Sequence, residues 1–154
     1  MMYRGIDGEM QIAFYLKDQE HGWMSNFYPS PIEIGGIKYA TVENFYQSMK
    51  AVDDDMRDWI ARAPKPYFAM RAGRLLRTHE FLPDWDELRV GIMRVGLTAK
   101  FTQNPELRTK LLETGDLPIH ENSPTDVFWG VKGSDALGRL LADVRKELRI
   151  HGPY

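Results

Sequence analysis

Three stretches of the chain set acids, amides and an amine among aromatic rings, and these are the residues equipped for chemistry. In TVENFYQSMK (41–50), Glu43, Gln47 and Lys50 recur at i, i+4 and i+7. In WMSNFYP (23–29), Ser25 and Asn26 stand between Trp23 and the pair Phe27-Tyr28. In HENSPTDVFWG (120–130), Glu121, Asn122, Ser123 and Asp126 precede Phe128, Trp129 and Gly130. Trp85 and Lys100-Phe101 repeat the mixture on a long helical stretch. Taken singly, each has a structural reading, because aromatic rings are mostly core and Asn or Ser in a loop mostly makes a turn. Taken together, they suit a flat polar ring attached to a sugar: rings stack on Trp, Tyr or Phe, and polar edges and hydroxyls need hydrogen bonds. Carboxylates also suit the breaking of a sugar–nitrogen bond. Positive charge develops on the sugar carbon as that bond stretches, and a nearby anion stabilises it. A second acid or base then activates water or protonates the leaving ring.

Other chemistries find little support. The chain has no cysteine, so it has no disulfide, thiolate nucleophile or thiolate metal site. Its histidines, His21, His79, His120 and His151, never pair at helical ligand spacing, and His120-Glu121 is only a two-residue ligand set. Asp53-Asp54-Asp55 reads as the acidic start of a helix rather than a cation site. A dedicated metal is therefore not expected. No Gly-x-Ser-x-Gly elbow, Walker loop or Gly-x-Gly-x-x-Gly occurs. The formal charge of −2 argues against a general duplex binder, which would show a basic excess, but it leaves room for recognition of a single nucleotide. Mean hydropathy of −0.44 and frequent charges leave no run long enough to span a bilayer. The N-terminal MMYRGIDGEM lacks an apolar secretory core, so a soluble cytoplasmic protein is expected.

The elements that must position these residues follow from periodicity. At 154 residues with 43% apolar content, one domain over 1–154 is expected. QIAFYL (11–16) reads as a strand, and PIEIGGIKY (31–39) as a hairpin turning at Gly35-Gly36. Helices are expected at 42–51, 54–62, 66–77, 84–101, 105–114 and 135–149. Thr41 is placed to cap the first, and Asp84 with Glu87 forms a capping-box spacing for the fourth. Asn104-Pro105 opens the fifth and Gly115 closes it. On the first helix, Val42, Phe45, Tyr46 and Met49 form the apolar face and Glu43, Gln47 and Lys50 run along its edge. On the last, Leu137, Leu140, Leu141, Val144 and Leu148 form a core stripe. The fold class is α+β and mainly α-helical: short N-terminal strands and a β-hairpin, followed by a helical body.

WMSNFYPSPIEIGGIKYATVENFYQSMKA (23–51) resembles the signature of the YbiA-like, or NADAR, family: a Ser-Asn-Phe loop, a hairpin, then Val-Glu-His-x-aromatic-Gln-x-x-Lys. Similar motifs follow in order at MRAGR (70–74), Trp85, KFTQNPEL (100–107), LLETG (111–115), ENSPTDVFWG (121–130), LGRLL (137–141) and Arg145, so the resemblance covers about residues 12–149. It implies a YbiA-like fold and an N-glycosidase. The expected substrates are small ribosylated or ADP-ribosylated molecules: early riboflavin-pathway intermediates, or ADP-ribosylated guanine, including guanine within a nucleic acid. It implies no metal or redox cofactor, and the lack of a long apolar run leaves no membrane partner expected. Carried onto this sequence, it points to Glu43, Lys50 and Asp126 as catalytic residues. Ser25, Asn26, Phe27, Gln47, Trp85, Trp129 and Gly130 are then the substrate-binding set. A non-catalytic module that binds ADP-ribose or a related nucleotide is the alternative, although such a reader would not need the trio Glu43, Lys50 and Asp126. Two positions depart from the pattern. Asn44 stands where the motif has His and has no acid–base capacity. Asp135 stands where Asn is expected in a shortened GVKGSDALG loop, where a carboxylate would repel a phosphate.

Overall fold

The structure is a computed structural model that describes residues 2–4 and 10–151. The stretch MMYRGIDGEM falls mostly outside the described residues. The expected α+β, mainly helical class is what the chain adopts, with six helices and five short strands among the described residues. No helix among them is long and apolar enough to cross a membrane. The chain divides into two compact units, one running through Tyr28 and resuming at Pro105, the other spanning Pro29–Asn104.

In the first unit, β1 (Met2–Arg4) pairs antiparallel with β2 (Met10–Phe14), and β2 pairs parallel with β5 (Ile119–Glu121). A parallel neighbour needs a crossover. Here it brings Ile12 beside Ile119 and Phe14 beside Glu121. The helices α5 (Pro105–Glu113) and α6 (Ala136–His151) belong to the same unit. Leu137, Leu140, Leu141, Val144 and Leu148 are buried as the spacing predicts. Close packing of α6 on β5 depends on Gly138, since a Cβ there would come within 2.2 Å of the Ile119 carbonyl oxygen. Buried Arg145 ties α6 to the turn after α5, donating to Thr114 Oγ1 at 2.8 Å and the Leu117 carbonyl at 2.9 Å. Gly115 ends α5 with a φ of 64°, the left-handed value its position suggests.

In the second unit, β3 (Ile32–Ile34) and β4 (Ile37–Tyr39) form the expected hairpin. Gly35 and Gly36 have φ of 59° and 80°, and two successive positive values are what a tight hairpin turn of matching twist requires. The helices are α1 (Val42–Ser48), α2 (Asp54–Ala61), α3 (Pro66–Arg74) and α4 (Trp85–Gln103). At the end of α4, Gln103 grips β3 through both sides of its amide: Oε1 accepts from Glu33 N at 2.8 Å and Nε2 donates to Glu33 O at 2.9 Å. Thr41 caps α1 by accepting from Asn44 N, and Asp53 caps α2 by accepting from Met56 N.

Two expectations need correction. Asp84 makes no side-chain cap to α4, because its φ of −97° and ψ of 23° lie outside the extended region typical of a capping residue. The first and third helices stop at Ser48 and Arg74, short of 51 and 77. Lys50 and Ala51 lie just past the end of α1, where the Lys50 carbonyl accepts from Leu82 N and Ala51 bridges to Phe81. Helical periodicity therefore persists in the letters while the backbone turns to meet another segment. Every residue of α1 from Val42 to Ser48 is buried.

Asn44, the departure from the family motif, is fully buried and structural. Its Nδ2 donates to the carbonyls of Ala61 at 3.3 Å and Ala63 at 3.1 Å, and its Oδ1 accepts from Thr41 Oγ1 at 2.7 Å. It thereby binds the start of α1 to the end of α2. Asn44→Ala should cost about 2 kcal/mol or more, because it leaves buried carbonyls without a donor. Urea denaturation with an unchanged slope would measure this, and an unchanged midpoint would refute it.

Candidate functional site

Within the second unit, the structure gathers Glu43, Gln47, Lys50 and Trp85. Gln47 Nε2 donates to Glu43 Oε1 at 2.7 Å across one turn of α1, and both side chains are buried. Gln47 Oε1 points at Gly73 of α3, where a Cβ would lie only 2.0 Å away. Any larger residue at 73 would push the amide off Glu43. On the next face, Gly96 of α4 makes room for Phe45 and Val42, whose carbons a Cβ there would meet at 3.0 and 3.1 Å. Small residues on two flanking helices thus let α1 sink far enough to hide its carboxylate.

Lys50 extends its Nζ over two rings, 5.3 Å from the centroid of Tyr46 and 5.8 Å from that of Trp85. Burial pushes its amine below the ordinary lysine value. Glu43 opposes that shift, while Arg74 and Arg89 reinforce it. A lysine in such surroundings holds more neutral, nucleophilic amine at neutral pH than a solvated one does. Trp85 is only 5% exposed and packs against Tyr46 at 5.0 Å and Phe81 at 6.1 Å. Its ring backs the lysine.

The first unit gathers the other sequence-derived residues. Ser25 and Asn26 are buried, and Ser25 Oγ accepts from Phe27 N at 3.1 Å, which closes a tight turn and leaves Phe27 half-buried. Asp126 is turned inward by its own loop: Oδ1 accepts from the amides of Phe128 at 2.9 Å and Trp129 at 2.8 Å. Ser123 Oγ in turn accepts from Asp126 N at 3.1 Å. Asp126 thereby fixes Trp129, half-buried and edge-on to Phe128 at 4.7 Å, and Gly130 behind it. Gly130 is pressed between groups on both sides, since a Cβ would come within 2.5 Å of the Asp126 carbonyl oxygen and 2.8 Å of Glu121 Oε2.

Asp135, the second departure from the motif, has a left-handed φ of 50° at the start of α6. Its carboxylate is engaged: His120 Nδ1 lies 2.6 Å from Oδ2, and Glu121 N donates to Oδ1 at 3.3 Å. This charge is partnered at the strand and is not presented bare to a ligand phosphate. His120 accordingly serves Asp135. Among the described residues, no three His, Cys, Asp or Glu side chains converge as metal ligands.

Two groups were missed by motif reading as site candidates. Glu121 was noted only as part of a polar stretch and of a two-residue ligand pair. It is 8% exposed, and its Oε2 has no hydrogen-bond partner among the described residues. Burial, and next the Asp126 charge, raise its pKa to about 7; the Ser123 amide opposes them, and Asp135 adds a lesser push upward. The available signal was alternation: in the strand Ile-His-Glu, Glu121 shares a face with core residue Ile119. Lys100 is fully buried beside Phe101, and burial brings its amine down to about 7. It follows Met93 and Leu97 along the buried face of α4, a phase visible in the sequence.

The raised Glu121 carboxyl has a stability signature. Its native value of about 7 lies above the ordinary 4.5, so the folded chain holds a proton that the unfolded chain releases. Stability should therefore fall as pH rises between those two values and stay lower above them. Glu121→Gln should flatten that decline, as read by urea midpoints at pH 5 and pH 8. Identical pH dependence in both proteins would rule out the burial effect.

Comparison with known proteins places this geometry in a family. The NADAR domain model matches residues 13–149. An N-glycosidase, YbiA of Escherichia coli, is 36% identical over 143 residues, covering 90% of this chain and 89% of its own. An N-glycosidase of Nostoc punctiforme is 40% identical over 147 residues, covering 91% and 94%. A riboflavin biosynthesis protein of Vibrio vulnificus is 39% identical over 95% of this chain, which spans only 41% of that longer protein. The NMR structure of E. coli YbiA superposes with a TM-score of 0.84 at 35% identity, covering 96% of this chain and 92% of that one. With a family model spanning both compact units and relatives matched along nearly their whole length, the chain belongs to the NADAR domain family.

Proposed function

We propose that the chain is a hydrolase of N-glycosyl bonds that releases a base from a small ribosylated substrate. The reaction class follows relatives that are N-glycosidases over nearly their full length. The single observation that carries the chemistry is the pairing of a buried carboxylate, Glu43, with a desolvated amine, Lys50, on one short stretch of chain.

In this reading, Glu43 faces the sugar carbon, where its anion stabilises the charge that develops as the carbon–nitrogen bond weakens. Gln47 fixes the carboxylate direction. Lys50 is the nucleophile. In the opened form of a ribosylamine, the sugar carbon is bound to the base nitrogen as an imine. The neutral amine adds to that carbon and expels the base amine, and water then releases the sugar aldehyde and restores the lysine. Tyr46 and Trp85 keep water off the amine and so keep its value low. Within the first unit, and as a separate candidate set, Ser25, Asn26, Phe27 and Trp129 offer polar and ring contacts to a base, and Asp126 holds Trp129 and Gly130 in register. A reader of nucleotides needs no desolvated amine beside a carboxylate, so Lys50 favours catalysis over binding alone. The substrates proposed are an early riboflavin-pathway ribosylamine, in keeping with the name of the Vibrio relative, or ADP-ribosylated guanine, free or within a nucleic acid.

Glu43→Gln and Lys50→Ala should each lower kcat at least about 100-fold in a base-release assay on ribosylated pyrimidine amines and ADP-ribosylated guanine. Asp126→Asn keeps the oxygen that accepts from Phe128 and Trp129, so a loss of turnover there reports the charge and not the turn. If all three variants stay folded and turn over as wild type does, the assignment fails. Borohydride added during turnover should trap a covalent sugar adduct that is absent from Lys50→Arg. A wild-type chain that turns over without any trapped adduct would replace the imine route with direct attack by water.

A further inference from the structure

Glu121 is a buried carboxyl with no role in the proposed function. Its carboxyl sits at the end of β5, accepts from the Ser123 amide through one oxygen, and presses Oε2 against Gly130, directly after the ring of Trp129. That oxygen is buried and has no partner in the described protein. Polar atoms in that condition are few in native structures and call for an explanation such as a catalytic role. Structural explanations fit poorly. A strand end needing only shape at this position would hold an apolar residue, and one needing a charge would pair it, as the same strand does for His120 with Asp135 at 2.6 Å.

We propose that Glu121 is a catalytic residue, the general acid that protonates the departing base nitrogen. It rests on the N-glycosidase reading but not on the roles given to Glu43 or Lys50. As the sugar–nitrogen bond breaks with its electron pair moving to nitrogen, the Oε2 proton passes to that nitrogen. Water adds its oxygen to the sugar carbon and returns one proton to the carboxylate, so the acid is regenerated and the sum is hydrolysis. The surroundings keep the group protonated for this task. From the loop, Asp126 and Asp135 both oppose its ionisation, with Asp135 held in turn by His120 on the same strand. The neighbouring strand β2, Met10–Phe14, contains no charged residue, and α6 meets β5 through Gly138. Only the Ser123 amide favours the anion. Gly130 is the residue that lets the acid lie against the backbone behind Trp129, where a stacked base would present its nitrogen.

The test is a pH–rate profile of wild type, Glu121→Gln and Glu121→Asp on the same ribosylated pyrimidine amine and ADP-ribosylated guanosine. Wild-type kcat should fall about tenfold per pH unit above neutrality as the acid ionises. Glu121→Gln, which keeps shape and hydrogen bonding but carries no transferable proton, should lose about 100-fold in kcat at pH 6 with little change in KM and should lack that alkaline limb. Glu121→Asp should recover part of kcat and restore the limb, which a merely structural role would not do. Glu121→Gln turning over as wild type, with the same limb, overturns the assignment and leaves the N-glycosidase reading intact. A folded wild-type chain that releases base from neither substrate overturns that reading and this role together.

Discussion

A seven-residue helix with no face turned to water is the constraint from which the second unit is built. Burying Val42–Ser48 means burying Glu43, Asn44, Gln47 and Ser48 with it, and each of those groups loses its hydration unless a partner replaces it. Asn44 finds the end of α2, and Ser48 donates to the Phe45 carbonyl at 2.7 Å. Glu43 takes the Gln47 amide. The space for this comes from Gly73 and Gly96 on the two flanking helices. Gly73 admits the Gln47 amide that holds Glu43, and Gly96 admits the Phe45 and Val42 side chains.

The same device recurs in the first unit with different parts. A strand end carries an acid on its core-facing side, a glycine admits it, and a loop folds over it. The loop from Asp126 to Leu137 bonds to itself as it goes: the Ser134 amide donates to the Val127 carbonyl, and the Ala136 and Leu137 amides to those of Phe128 and Trp129. Asp126 starts that course and Asp135 ends it. The left-handed backbone at Asp135 turns the chain into α6 while its carboxylate reaches back to His120 and to Glu121 N. Burial at the strand end raises the proton affinity of Glu121, whose Oε2 lies against Gly130.

Much of this could be read from the letters, and the failures have identifiable causes. The Gly35-Gly36 hairpin, the Thr41 cap, the acidic start of α2, the Gly115 stop and the stripe of α6 all rest on interactions within a few residues, and all appear as expected. Asp84 fails as a cap although its spacing to Glu87 is right, because capping also needs an extended backbone at that residue. Helical periodicity through Lys50 and Ala51 continues beyond the point where Leu82 and Phe81 claim their backbone groups. A motif says nothing of exposure, and the Trp85 ring is enclosed by Tyr46, Phe81 and Lys50. Glu121 was passed over since an acid is assumed solvated unless the strand phase is followed.

The sequence by itself determined which side chains are available and which lie within one turn of each other. Thus Glu43 with Gln47, and Asp126 with the amides of Phe128 and Trp129, are local pairs whose contact follows from helix pitch and turn length. It also carried enough ordered motifs to place the chain in its family. Only the tertiary structure decided which of those polar groups lose water. Burial depends on segments far away in the chain: Gly73 against Gln47, α2 carbonyls against Asn44, Asp135 against the end of β5. Proton affinity follows desolvation and neighbouring charge, so the lowered amine of Lys50 and the raised carboxyl of Glu121 exist only once those distant segments have met.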